Sequence, residues 1–144
     1  TLALYPGSNT VEAWLGADGA TVSLNNGELV STRGLGNDLM GSVLPEATTL
    51  KQRLGSSYTK TMRFLTADDQ NSDLRLDCTV RTFHKHEEIV IFEKAHEVLK
   101  YFETCKSENY ILENLYWQDS EGLTVMSKQF HSPSVGKLLI MRLK

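Results

Sequence analysis

Several features that would narrow the function are missing from this sequence. No apolar run is longer than residues 89–92, IVIF, far short of the ~18 residues that a membrane-spanning helix needs. No transmembrane helix is therefore expected. There is no basic excess either: 15 Lys and Arg against 18 Asp and Glu leave a formal charge of −3. Nucleic-acid binders usually gather cations on one face, so no nucleic-acid partner is expected. Only two cysteines occur, Cys78 and Cys105, which excludes a disulfide-rich scaffold and a four-cysteine zinc site. A single bridge in an oxidising compartment and two buried thiols in a reducing one both remain open. The chain opens at Thr1 without an initiator Met, a basic segment or an apolar leader, and a processed or trimmed product is expected. No internal repeat, low-complexity tract or linker divides it, and 144 residues suit a single domain over 1–144.

What is present has a period of two. In SDLRLDCTVRTF, Leu74, Leu76, Cys78 and Val80 share one face while Arg75, Asp77, Thr79 and Arg81 share the other, as a half-buried strand requires. In YTKTMRFL, Tyr58, Met62 and Phe64 alternate with Thr59, Thr61 and Arg63, with Lys60 breaking the apolar face. Turn signals at Ala17-Asp18-Gly19, Asn25-Asn26-Gly27 and 119–122, DSEG, separate short runs, since Gly and Asn tolerate the positive φ of tight hairpins. Strands are expected at 11–16, 20–24 and 28–33, and again at 110–118, 122–130 and 137–143, with 131–136 as the last connection. Residues 35–57 read as a long loop with one helical turn. Val98, Tyr101, Phe102 and Cys105 fit one face of a helix, so 95–105 is helix or strand on pattern alone.

Candidate chemistry is sparse. GLGNDLMG at 34–41 lacks the third glycine of a dinucleotide fingerprint, because Leu39 occupies that place, and reads as a turn leaving a strand. His84 and His86 are two apart, so on a strand both rings would face one way, and Glu87, Glu88 or His96 could complete a metal site. The same HKHEE segment reads more simply as a solvated connection between apolar runs. Ser127, His131 and Asp119 have no nucleophile elbow around them, and Cys105 beside His96 or His131 has no activating environment. No catalytic, cofactor or metal site is expected. Tyr116 and Trp117 are adjacent, so one ring points inward and the other outward; an outward ring is a possible contact surface for a sugar or a protein, or packs under a neighbour.

Three segments in order carry a resemblance: ADGATVSLNNGELVSTRGLGNDL at 17–39, ENLYWQDSEGLTVMSKQFHSP at 113–133 and KLLIMRLK at 137–144. They resemble the YjbF/GfcB family of bacterial outer-membrane lipoproteins, encoded with exopolysaccharide and group 4 capsule genes. The late motif is carried by Asn114, Tyr116, Trp117, Gly122, Ser127, Gln129 and Pro133. The resemblance implies an all-β fold, a single antiparallel barrel-like or sandwich domain built from meanders, in the periplasm. It implies a non-enzymatic lipoprotein domain that assists capsule or exopolysaccharide assembly or export. The implied partners are other export proteins or the polysaccharide, and the outer membrane through a lipid anchor and signal peptide missing from this chain. It also implies that 95–105 is a strand and that Cys78 and Cys105 form a bridge, stabilising by about 3–4 kcal/mol. The competing readings are a polysaccharide-modifying enzyme, metal-dependent at His84 and His86, and a small-ligand-binding β-barrel.

Overall fold

The computed structural model describes residues 2–5, 11–16, 19–35, 38–45, 49–65, 71–132 and 136–142. Among these residues eleven strands follow in chain order: β1 (Leu2–Tyr5), β2 (Val11–Gly16), β3 (Thr21–Asn25), β4 (Glu28–Arg33), β5 (Leu39–Val43), β6 (Ser57–Leu65), β7 (Asn71–Ile91), β8 (Lys94–Lys106), β9 (Ile111–Gln118), β10 (Thr124–Ser132) and β11 (Gly136–Met141). The one helical element among the described residues is a 3₁₀ turn, Lys51–Arg53. Strands β1 to β4 form one antiparallel meander and β5 to β11 a second, each neighbour in sequence pairing with the next. The all-β, meander-built expectation holds.

The two sheets close on one apolar core. Trp14, Val22, Leu24 and Leu29 come from the four-stranded sheet, and Leu39, Met62, Phe64, Leu76, Leu112 and Phe130 from the curled seven-stranded one. Alternation places them: along β7, Leu76, Cys78 and Val80 are buried while Arg75, Asp77, Thr79 and Arg81 are exposed. Each such side chain stabilises by roughly 1.5–3 kcal/mol when removed from water.

The expected long loop over 35–57 is partly a strand, because β5 pairs with β6 and buries Leu39 completely. Residues 95–105 lie in β8, whose alternate side chains Tyr101, Glu103 and Cys105 face inward. The HKHEE segment is exposed from Lys85 to Glu88 but is no connection: β7 runs through it, with a register shift between Thr82 and His86. Its hairpin with β8 turns at Phe92 and Glu93, both at positive φ, 47° and 66°, with no glycine to announce the turn. The last connection starts later than expected, since β10 continues to Ser132; Ala17, Asp18 and Pro133 lie outside the described residues.

Gly27 closes the β3–β4 hairpin after Asn26, with φ values of 83° and 49°. A Cβ there would sit 2.4 Å from Thr124 Oγ1 on the other sheet, whereas Gly122, at φ 84°, has nothing within 4 Å. Gly27→Ala is therefore expected to cost about 2 kcal/mol more than Gly122→Ala, which carries the backbone strain alone. Equal shifts of the urea midpoint in the two variants would contradict this.

Candidate functional site

Beside the apolar core lies a buried ionic cluster. Glu28 on β4, Arg53 on the 3₁₀ turn, Lys60 on β6 and Glu103 on β8 are each at most 5% exposed. Arg53 clamps Glu28 with both terminal nitrogens, at 2.7 and 2.6 Å. Lys60 Nζ donates to Glu103 Oε1 at 2.9 Å and lies 3.6 Å from Glu28 Oε1. Two cations thus face two anions, so the cluster carries no net charge, the condition under which buried ions are tolerated. Lys60, which breaks the apolar face of β6 in sequence, is explained by Glu103 two strands away.

Polar side chains saturate the remaining valences. Asn114 Nδ2 donates to Glu103 Oε1 at 2.8 Å, and its Oδ1 accepts from Phe130 N at 2.8 Å. Tyr58 Oη donates to Glu103 Oε2, and the Arg53 guanidinium sits 5.1 Å from the Tyr58 ring centre. The Tyr116 hydroxyl bridges Glu103 and Gln129, at 3.4 and 3.2 Å. Gln129 Oε1 accepts from Leu29 N at 2.8 Å, and its Nε2 donates to Gly27 O at 2.7 Å and Ser127 Oγ at 3.0 Å. Gln129 therefore stitches β10 directly to the β3–β4 hairpin of the other sheet.

Burial alone would push the Glu103 carboxyl up, but Lys60, Tyr58 and Asn114 hold it below its usual range. Burial would likewise lower Lys60, yet Glu103 and Glu28 raise it. Both are ionised at neutral pH. Burial and the neighbouring Glu103 and Glu28 carboxylates raise the Tyr116 phenol, which stays protonated and can donate.

A second buried group joins β4 to β10. His131 Nε2 lies 2.7 Å from Thr32 Oγ1 and its Nδ1 2.9 Å from Ser132 Oγ, while Asp38 accepts from Thr32 and from the Gly34 and Leu35 amides. Burial lowers the His131 pKa, opposed by Asp38. The unfolded chain then binds the proton first, so stability is full above the unfolded histidine value of ~6.5 and falls as pH drops through the folded one. Glu103 stays ionised across that interval. The urea midpoint is expected to decline on acidification from pH ~7.5 to ~5, with a shallower decline in His131→Asn; an identical slope in the variant would remove His131 as the cause.

The sequence-based candidates fall in several places. Tyr116 points inward and is fully buried, whereas Trp117 faces the outer side of the seven-stranded sheet yet is only 7% exposed. It packs with Ile91, Val98 and Val125, its Nε1 donates to Glu87 at 3.1 Å, and Lys100 Nζ lies 4.9 Å over its ring. The ring expected to stand outward is thus covered by its neighbours. Cys78 and Cys105 face each other across β7 and β8 and are joined, with S–S 2.05 Å. Their sulfurs and Glu103 form the one group of potential ligands gathered among the described residues, and the bond takes both thiols. The His84 side chain lies outside the described residues, and His86 lines an open cleft of about 760 Å³ with Glu97, Gln118 and Asp119. Ser127, His131 and Asp119 form no relay: Ser127 accepts from Gln129, His131 meets Thr32 and Ser132, and Asp119 accepts from the Glu121 and Leu123 amides of its own turn.

A family model described as "Group 4 capsule polysaccharide lipoprotein gfcB, YjbF" matches residues 1–143. The chain belongs to this family. The family is one of capsule polysaccharide lipoproteins, which is consistent with a role in capsule assembly and a place in the cell envelope. The crystal structure of the hypothetical lipoprotein YmcC from Escherichia coli K12 superposes with a TM-score of 0.81 at 22% identity, covering 99% of this chain and 76% of that one. That likeness concerns the fold. No curated protein matches the chain. Within this YjbF/GfcB chain, the motif residues Asn114, Tyr116, Ser127 and Gln129 all converge on the buried cluster. Gly122 closes the β9–β10 turn at φ 84°. Sequence reasoning missed Glu28, Arg53 and Glu103; the apolar-face break at Lys60 was the available signal for them.

Proposed function

We propose that this YjbF/GfcB chain is a non-catalytic periplasmic domain, held at the outer membrane by a lipid on its parent protein. In this reading it assists capsule or exopolysaccharide assembly or export by contacting other export proteins or the polysaccharide. One observation carries it: the side chains best equipped for acid-base work are buried and engaged, Glu28, Lys60 and Glu103 with one another and His131 with Thr32 and Ser132. Such groups hold two sheets in register and offer no open face to a substrate. What the domain offers instead is a rigid frame whose surfaces can be occupied without reaction.

The purified domain, incubated with polysaccharide from the producing strain, is expected to associate with it, or with a co-purifying export protein, without altering polymer length. New reducing ends or shortened chains, abolished when His86 is replaced, would instead establish an enzyme at the cleft.

A further inference from the structure

The outer face of the seven-stranded sheet carries a band of aromatic, apolar and cationic side chains that register aligns across five strands. Arg81 on β7 pairs with Phe102 on β8, Phe102 with Leu115 on β9, Leu115 with Lys128 on β10, and Lys128 with Leu139 on β11. A second row beside it runs Lys100, Trp117, Met126, Met141. Directly paired residues in an antiparallel sheet project to the same side, so these are two continuous rows. At about 4.8 Å per strand they span roughly 19 Å.

The band is chemically uneven, covered at Trp117 and open at Phe83, Leu139 and Met141. Phe83 is 70% exposed, Leu139 53% and Met141 38%. Phe83 meets the Phe102 ring edge-on at 5.1 Å between centroids. Lys100 Nζ lies 5.0 Å from the Phe102 ring and 4.9 Å from the Trp117 ring, and Arg81 5.3 Å from Phe102. Two acids border the rows: Glu113, 3.7 Å from Arg81, and Glu87, held by Trp117. Lys100 and Lys128 have no carboxylate partner among the described residues. Two unneutralised cations therefore flank aromatic and aliphatic platforms on a chain whose overall charge is −3.

The geometry points to an acidic polysaccharide as the occupant, lying across β7 to β11 with sugar faces on the apolar rows and its acid groups on Lys100 and Lys128. This deepens the proposed function and rests on its reading of the domain as a contact module. Apolar sugar faces stack on rings and aliphatic side chains, isolated lysines supply charge complementarity without a fixed geometry, and Glu113 can accept from hydroxyls. A uniform apolar patch would suit a protein partner better; here each row carries a cation.

The test uses the full chain with short oligogalacturonates, and their methyl esters as the same rings without charge, followed by amide NMR shifts. Saturable shifts on β7 to β11 are expected, with affinity weakened roughly fivefold by Lys128→Gln and by esterification. Lys128 is exposed, so the variant is expected to fold as the parent does. Phe83→Ser, at another exposed position, is expected to weaken acid and ester alike. Equal affinity for acid and ester, shifts confined to the 760 Å³ cleft, or no binding would overturn the proposal. So would binding to phosphatidylglycerol vesicles alone, or self-association that buries the band. If polysaccharide from the producing strain still associates while these arms fail, only the assignment to this face falls; if that association fails too, so does the glycan-contact reading.

Discussion

Glu103→Ala is expected to destabilise the domain by about 3–5 kcal/mol, the range found when one partner of a buried ion pair is removed. The carboxylate is fully buried and receives Lys60, Asn114, Tyr58 and Tyr116. Its loss leaves an ammonium shared only with Glu28 at 3.6 Å, and takes the acceptor from Tyr58 and from Asn114 Nδ2. Removing the ammonium as well should recover part of the loss, since no uncompensated charge then remains. In a cycle of Glu103→Leu, Lys60→Met and the double variant, a coupling of about 2 kcal/mol is expected from urea unfolding. Strictly additive effects would show that the two charges do not depend on each other. The acid side follows from the same geometry: the lowered Glu103 pKa gives stability above the unfolded carboxylate value of ~4.3, lost as pH falls through the folded value.

Loss of the Cys78–Cys105 bond is expected to be of similar size. The bonded residues are 27 apart in sequence, and a loop of that length corresponds to about 3–4 kcal/mol in the chain-entropy model. For a domain of this size that is a fall of roughly 10 °C in melting temperature. The bond joins directly opposed residues of β7 and β8 at the floor of the core, beside Glu103. Reduction should therefore loosen the ionic cluster as well, with Cys78→Ala/Cys105→Ala reproducing the effect without reductant. An unchanged melting temperature with two titratable thiols would reject this.

Both effects arise where sheet alternation is used for something other than apolar packing. The inward positions of β6, β8, β9 and β10 carry Lys60, Glu103, Asn114 and Gln129 alongside Met62, Cys105 and Leu112. A hydrophobic core alone would tolerate sliding of one sheet over the other. Gln129 bonds both Leu29 N and Gly27 O, and Arg53 grips Glu28, so polar directionality ties the small sheet to one position on the large one. We expect this to matter for the contact role proposed above.

Alternation and turn chemistry were enough, from residues alone, to specify antiparallel strands near 11–16, 28–33 and 110–118, because a period of two and an Asn-Gly turn act locally, whereas 95–105 fitted helix or strand and only the family resemblance made the whole chain all-β. The motif around Asn114, Tyr116, Ser127 and Gln129 was likewise legible, and led to the correct family. Its purpose was not legible. The cluster those residues border, Glu28, Arg53, Lys60 and Glu103, is drawn from four elements far apart in sequence, and no local pattern encodes an ion pair closed across two sheets. The β7–β8 turn at Phe92 and Glu93 also escaped, since pairing on both sides forces positive φ where no glycine signals it. The two outer rows exist only because register sets residues from five strands side by side, and register is a property of the assembled sheet.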